Sequence, residues 1–597
     1  MLKRVLPFGL IAVLGAPLIF GKFLLYPFVV YRTYSFFIAV DALFVVFLLV
    51  NGLSWRTWVF KNSVMRATGL FLFVKFVTDM VGVAPSTSFW GTYERMFGFV
   101  TWLHLFVYLV MIVAMFREQQ LYQKLFRWLA LVGGAVSLYG ILQHYDIAFR
   151  IRQVDERVFS TVGNPAFLAG FLLLTLCVGG MALVNEKHRV WRWSVSISMT
   201  LSLWTLYLTA TRGAIIGFLA VCFFLTVFFF CFSAESRTRY TQRQYRVRLG
   251  IFLVIILGAP LLILLFREAS LVERSLALRR FATISIRDTS TASRIFLWRS
   301  ALSGIREHPL LGVGEGNITQ PLDRHFDPRM LEGWVDSSHN IFLDVVLAHG
   351  IVGVAAYLLF LGTIARGYIR LRRSDPALAG FGIAACMGYG IQGMFIFDTL
   401  VALLPLIVVA GYAAIRSVGD SDEKVRSPIR AEKIITALLV CGVVMLSLSY
   451  IRGIRALSTL SDAHRIVRRN GELSQAISKF ETARTLMLFG QVDMAHVARD
   501  AVFFVLNHVS SYTKEDIASL VEEFTRISEA AVQAQGETSD LLGDRANVYL
   551  NLAADFPTYR DRILPLLDQA IRLSPNRHDL SVMRAQALIR VDERLSP

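Results

Sequence analysis

A chain of 597 residues that is 55% hydrophobic and only 18% charged carries too much apolar surface for an ordinary soluble domain. Its 61 basic and 44 acidic residues leave a net charge of +17, which in a soluble protein would suggest nucleic acid. Here the basic residues cluster between apolar blocks of about 17–25 residues, the length that crosses a bilayer as helix, so the pattern fits a polytopic membrane protein and argues against nucleic acid as partner.

In chain order the blocks fall at residues 1–21, 34–53, 64–83, 97–116, 128–145, 166–184, 192–209, 213–233, 250–266, 339–365, 378–397, 400–416 and 434–451. The first has a basic start, Lys3 and Arg4, and an apolar core. Without a clear small-x-small cleavage site, it reads as a transmembrane helix rather than a signal peptide. The expectation is an all-α membrane fold of about 12–13 transmembrane helices. Cys177, Cys222, Cys231, Cys386 and Cys441 lie inside or at the ends of the blocks, with no disulfide or metal-ligand spacing.

The connections 55–66, 117–127, 186–192, 237–248 and 366–373 are rich in Lys and Arg. They alternate along the chain, so they share one side, and the positive-inside rule makes that side the cytoplasm. The N-terminus is then inside, and 84–96, 145–165, 209–212, 267–338 and the tail face outward. The long loop 267–338 holds ten Arg and no Lys, but long loops cross regardless of charge. Within a span, Lys75 and Asp79 stand four residues apart on one helix face. They read as an internal ion pair facing other helices, with a role in transport as the alternative.

After Tyr450 the chain turns polar with a helical period. Ala476, Phe480 and Ala483, and again Ala546, Tyr549, Leu567, Ala570 and Pro575, have the small/aromatic spacing of helical-repeat hairpins. The division expected is a membrane domain at 1–451 and a domain at 452–597 of two or three tetratricopeptide-like units. A generic helical bundle is the alternative.

The outward connections hold an unusual polar set: Trp90-Gly91-Thr92-Tyr93-Glu94-Arg95, Gly163-Asn164-Pro165, Thr211-Arg212-Gly213-Ala214, and the large loop. A lone Arg at a helix end is usually an interfacial anchor, but four on one side, each beside Gly, Asn or Trp, make a pattern. In the large loop, 288–291 can cap a helix on which Arg294 and Trp298 share one face and Ile295, Leu302 and Ile305 build an apolar one. His308-Pro309 ends it. Gly312, Gly314 and Gly316 then predict a tight turn whose N–H groups meet an anion; it follows a helix and lacks Lys-Ser/Thr, so it is not a nucleotide loop. His339, followed by Asn340, opens a span at the outer boundary. A guanidinium binds phosphate oxygens bidentately, and a neutral imidazole can take a proton from a sugar hydroxyl. Together they fit attack by a hydroxyl on an anomeric carbon whose leaving group is a lipid-linked pyrophosphate.

These pieces, in this order, with Ser338-His339-Asn340 and Phe397-Asp398-Thr399, resemble the O-antigen ligase family in its variant with a C-terminal tetratricopeptide-like domain. The likeness covers about residues 85–416. It implies a bacterial inner-membrane enzyme, free of metal and cofactor, that transfers glycan from undecaprenyl pyrophosphate to a glycan, lipid or protein acceptor outside the cytoplasmic membrane. It implies His339 as general base and Arg212 and Arg294 on the pyrophosphate, with Arg95 a further contact and Asn164, Asn340 and Trp298 in the substrate site. A repeat polymerase or a ligase for protein hydroxyls fits the same motifs. So do two other classes: a lipid or polysaccharide transporter without chemistry, and a scaffold whose tail recruits a protein partner.

Overall fold

The computed structural model describes residues 2–148, 156–184, 186–232, 239–284, 289–330, 335–417 and 430–592. Among these the chain is helical throughout, with no strand. Seven helices are long and apolar enough to cross a membrane: Val30–Asn51, Gln119–His144, Pro165–Val184, Arg212–Phe232, Val247–Leu265, Ile341–Leu371 and Arg430–Arg468. Phe99–Met115 and Leu400–Arg416 are apolar and shorter. The remaining predicted blocks are also helical but fall outside that class. Ser63–Val81 carries Arg66, Lys75 and Asp79, and Arg189–Leu208 is rich in Ser and Thr. The first block differs most. Its helix, Leu2–Val13, has twelve residues, a rise of about 18 Å against a hydrocarbon core of about 30 Å.

Contacts join several of the segments expected to share a face. Leu25 N–H donates to Ser461 Oγ at 3.0 Å, Arg32 Nη2 to the Thr161 carbonyl at 2.7 Å, and Tyr93 N–H to Asp493 Oδ2 at 2.8 Å. Those segments and the tail therefore lie on one face. On the other, Arg56 pairs with Glu432 at 2.8 Å, and Arg127 with Glu186.

Arg430–Arg468 runs for 39 residues, about 58 Å at 1.5 Å per residue, nearly twice the hydrocarbon thickness. Its first half exposes Ile434, Leu438, Met445 and Leu448, while its second half buries Ala456, Leu457, Leu460 and Ala463. The boundary expected at 451 thus falls inside one continuous helix, which couples bilayer and tail as a rigid rod. The tail continues in paired helices: Leu473–Leu486, Gln491–Leu506, Lys514–Gln535, Ser539–Leu552, Arg560–Leu573 and His578–Asp592.

Ile341–Leu371 is broken at Gly350, whose φ is 63° and ψ −166°. A break inside a membrane frees backbone groups that must be satisfied by protein. The turn after His308-Pro309 does this. Ile351 N–H donates to the Pro309 carbonyl at 2.9 Å, while Val313 and Gly314 N–H donate to the carbonyls of Leu347 and Ala348 at 3.0 and 2.8 Å. The fit demands glycine: a Cβ on Gly350 would lie 2.1 Å from the Leu310 oxygen, and one on Gly312 2.4 Å from the Ala348 carbonyl.

Candidate functional site

The segment that carries His339 is held from several sides. His339 itself has φ 52°, a conformation that costs a non-glycine residue about 1–3 kcal/mol and persists only where neighbours impose it. Its N–H donates to Ser337 Oγ at 3.0 Å, and Ser337 Oγ donates to Asp344 Oδ2 at 2.5 Å. Ser338 N–H donates to Asp344 Oδ1 at 2.7 Å, and the Trp298 indole N–H to the Ser338 carbonyl at 3.1 Å. Asn340 Oδ1 caps the following helix, accepting from Phe342 and Leu343 N–H at 3.0 and 3.4 Å. Trp298 and Asn340 thus position the histidine.

Met96, Ser160 and Ala210 also have positive φ, so each of the four outward motifs holds one strained residue in or beside it.

The His339 ring lies 5.8 Å from the Phe397 ring. Burial, then Arg294 and, more weakly, Arg95 lower its pKa from 6.5 to about 4, against an opposing pull from Asp336. The imidazole is therefore neutral near pH 7, the state a base requires. Arg95 pairs with Asp336 at 2.5 Å and sits 3.6 Å over the Phe397 ring; Arg294 sits 6.0 Å from the Phe395 ring. One short loop, Phe395-Ile396-Phe397, therefore backs both arginines and the histidine with aromatic faces. Asp398 anchors that loop, accepting from the Tyr389 hydroxyl at 2.6 Å and from Tyr357 at 3.2 Å.

Arg212 stands further out. Its Nε donates to the Arg280 carbonyl at 2.8 Å and its Nη2 to Thr283 Oγ1 at 3.1 Å, which ties the start of its helix to the helix Leu276–Ala282. The link to the histidine runs through Gly213, where an added Cβ would meet Phe395 at 3.0 Å. Asn164 Oδ1 accepts from Ala166 N–H at 2.8 Å as a cap. That segment joins the others through Thr211 Oγ1, which donates to the Pro165 carbonyl at 3.4 Å, and through Phe167, 5.1 Å from Phe397.

The glycine turn corrects an expectation. Its amides do not face an anion: Gly312 N–H donates to the His308 carbonyl, Val313 and Gly314 to the broken helix, and Glu315 to Asp79 Oδ1 at 2.8 Å. Satisfying the break in the helix takes the groups an anion would need. Of the stretch 288–291 expected to cap the helix Thr289–Ile305 by a Ser or Thr, 288 lies outside the described residues and the helix already begins at Thr289. The Lys75–Asp79 pair forms, at 3.4 Å, inside a larger buried cluster. Lys75 Nζ also lies 2.7 Å from Glu315 Oε2 and 3.1 Å from His349 Nε2. This cluster pins the glycine turn to two helices.

Two recesses flank the site. A cleft of about 100 Å³, lined by Arg95, Asp336 and Phe397, runs between the membrane helices and the tail as far as His496 and Gln535. An apolar groove of about 450 Å³ lies among the membrane helices, walled by Trp204, Tyr207, Phe218 and Pro260 and roofed by Leu278 and Phe281. Its roof is the helix whose Arg280 carbonyl Arg212 grips. In the tail, His496, Asp540 and Asp544 each place a ligand atom within 4.8 Å of the others. Arg499, 2.6 Å from Asp544, and Arg577, 3.9 Å from Asp540, already supply counter-charge there.

Sequence reasoning missed Phe395, Asp336 and Asp344. Only Asp344 left a signal, as a carboxylate inside an apolar run. Residues 197–358 match the family model described as O-Antigen ligase, a stretch holding Arg212, Arg294, Trp298, His339 and Asn340. No curated protein matches the chain.

Proposed function

From a multi-pass membrane protein that carries an O-antigen ligase domain, and so from a ligase-type membrane enzyme, we propose transfer of a glycan from a lipid-linked pyrophosphate, undecaprenyl pyrophosphate, to an acceptor hydroxyl. His339 removes the hydroxyl proton as the oxygen attacks the anomeric carbon. The bond from that carbon to the pyrophosphate oxygen breaks, and the pyrophosphate leaves on its lipid with the electron pair. Arg294 and Arg212 take up the charge that develops on the phosphate oxygens, so no metal is required. The polyprenyl chain lies in the apolar groove beneath Arg212.

The observation that carries this reading is the half-buried histidine set beside Arg294 and Arg95, which together with desolvation push its pKa down. A transporter would gain nothing from a base held in its deprotonated form. The site faces the outer side of a bacterial cytoplasmic membrane, opposite the basic connections, and the paired helices of the tail are tetratricopeptide-like.

Purified protein given a lipid-linked oligosaccharide and candidate lipid, glycan and protein acceptors should yield a transferred glycan by mass spectrometry, with chelator present. Donor binding without product for any acceptor would favour transport.

A further inference from the structure

The two recesses differ in charge as well as position. Arg212 and Arg280 stand at the roof of the groove. On the cleft side, the lining includes Glu94, Asp336, Asp493 and Asp540, and Arg95 is the one Lys or Arg in it among the described residues. Arg95 is already paired with Asp336. Glu94 is exposed, and no side-chain partner holds its carboxylate among the described residues. The lining also holds the aromatic rings of Phe97, Trp102 and Phe397.

This cleft is a joint product of membrane helices and tail. Trp90 stacks on Phe489 at 5.2 Å between centroids, and Tyr93 stacks on it at 4.5 Å. Asp493 accepts the N–H groups of Tyr93 and Glu94 at 2.8 and 3.2 Å. On the far side, Gln320 Nε2 donates to the Gln535 carbonyl at 2.9 Å, and Gln535 Nε2 to the Gly316 carbonyl at 3.2 Å. The tail is thus fastened to both rims, and Tyr93 and Glu94 immediately precede Arg95.

We propose that this cleft is the acceptor site, that the tail forms its outer wall, and that it takes the end of a neutral saccharide and rejects a phosphorylated one. The inference rests on His339 as the base, whose ring lies 5.8 Å from Phe397 of the cleft lining. Aromatic faces stack on sugar rings, and carboxylates accept from sugar hydroxyls while repelling anions. The charge contrast keeps the two substrates apart: an anionic donor headgroup is drawn to the arginine side, and an acceptor without charge enters the other.

Binding to the full-length protein in detergent, without donor, separates this from the catalytic assignment. The probes are a neutral linear trisaccharide and the same trisaccharide bearing a terminal phosphate, titrated at low salt. The neutral probe should bind at least about tenfold more tightly, since like charges across an interface are strongly disfavoured. Glu94→Lys, at an exposed side chain that the fold does not use, should bring the two within about twofold, and 0.5 M salt should narrow the gap in the unsubstituted protein. Equal binding of both probes, tighter binding of the phosphorylated one, or no saturable binding of either would overturn the proposal. If a His339 variant kept full transfer while the neutral probe still bound, the catalytic assignment alone would fall.

Discussion

His339→Gln keeps a side chain that can hydrogen-bond but cannot take a proton at neutral pH, so it tests the base directly. General-base catalysis contributes about 10²–10⁴-fold, and transfer should fall by that factor while donor binding persists. The pH profile gives an independent reading. With a pKa of about 4, some 99% of the imidazole is neutral at pH 6; at the reference value of 6.5 it would be about 24%. Initial transfer rates with saturating donor should therefore be nearly equal at pH 8 and pH 6 and fall only toward pH 4. Arg294→Gln removes a positive neighbour, so its acid limb should move up toward 6.5 even though its absolute rate drops. Stability follows the same sign. The folded value lies below the unfolded one, so the unfolded chain binds more protons between about pH 6.5 and 4, and acid destabilises the fold across that window. At about 1.36 kcal/mol per pH unit the full effect is roughly 3 kcal/mol, and His339→Gln should remove it from the pH dependence of the melting temperature. A fourfold loss of wild-type rate between pH 8 and pH 6, or near-normal transfer by His339→Gln, would refute the reasoning.

Arg212→Lys and Arg294→Lys should each lose about 10- to 100-fold in transfer, because an ammonium cannot replace two parallel guanidinium bonds worth about 1.5–3 kcal/mol apiece; full activity in folded protein would make these arginines membrane anchors. Lys75→Met strands Asp79 and Glu315 in the buried cluster, and breaking such a pair costs about 3–5 kcal/mol, so the melting temperature in detergent should drop clearly, and an unchanged one would mean the cluster is not ionised. Gly350→Ala puts a Cβ 2.1 Å from the Leu310 oxygen; the turn at 309–314 should detach and become sensitive to limited proteolysis, with equal resistance counting against the docked turn. In intact cells, Ser510→Cys should react with an impermeant thiol reagent and Ser421→Cys should not, and the reverse pattern would invert the orientation of the site.

Much of this arrangement was legible in the chain because membrane constraints act locally. A bilayer demands runs of apolar residues of a set length, and basic connections alternate with outward ones whatever the helices do afterwards. That sufficed for the helical blocks, and it singled out His339, Arg95, Arg212 and Arg294 as charged or titratable groups at the edges of apolar runs. The length of Arg430–Arg468 escaped because the shift from apolar to polar composition at residue 451 marks where a helix leaves the lipid, not where it ends.

What only tertiary structure decided is which group meets which. The glycines at 312 and 314 looked like an anion loop because an unpaired turn and a docked turn have the same composition. They proved to be the filling of a helix break 38 and 36 residues downstream, at Gly350, and only the packing reveals that their amides are taken. The same holds for His339. Its sequence context placed it at a membrane boundary, but its neutrality comes from burial and from Arg294 and Arg95, brought beside it from segments 45 and 244 residues away, and from the aromatic loop at 395–397. Local patterning is governed by the solvent each residue meets and is written along the chain. The electrostatics of a site sum over neighbours in space, and those neighbours are set by how the helices pack.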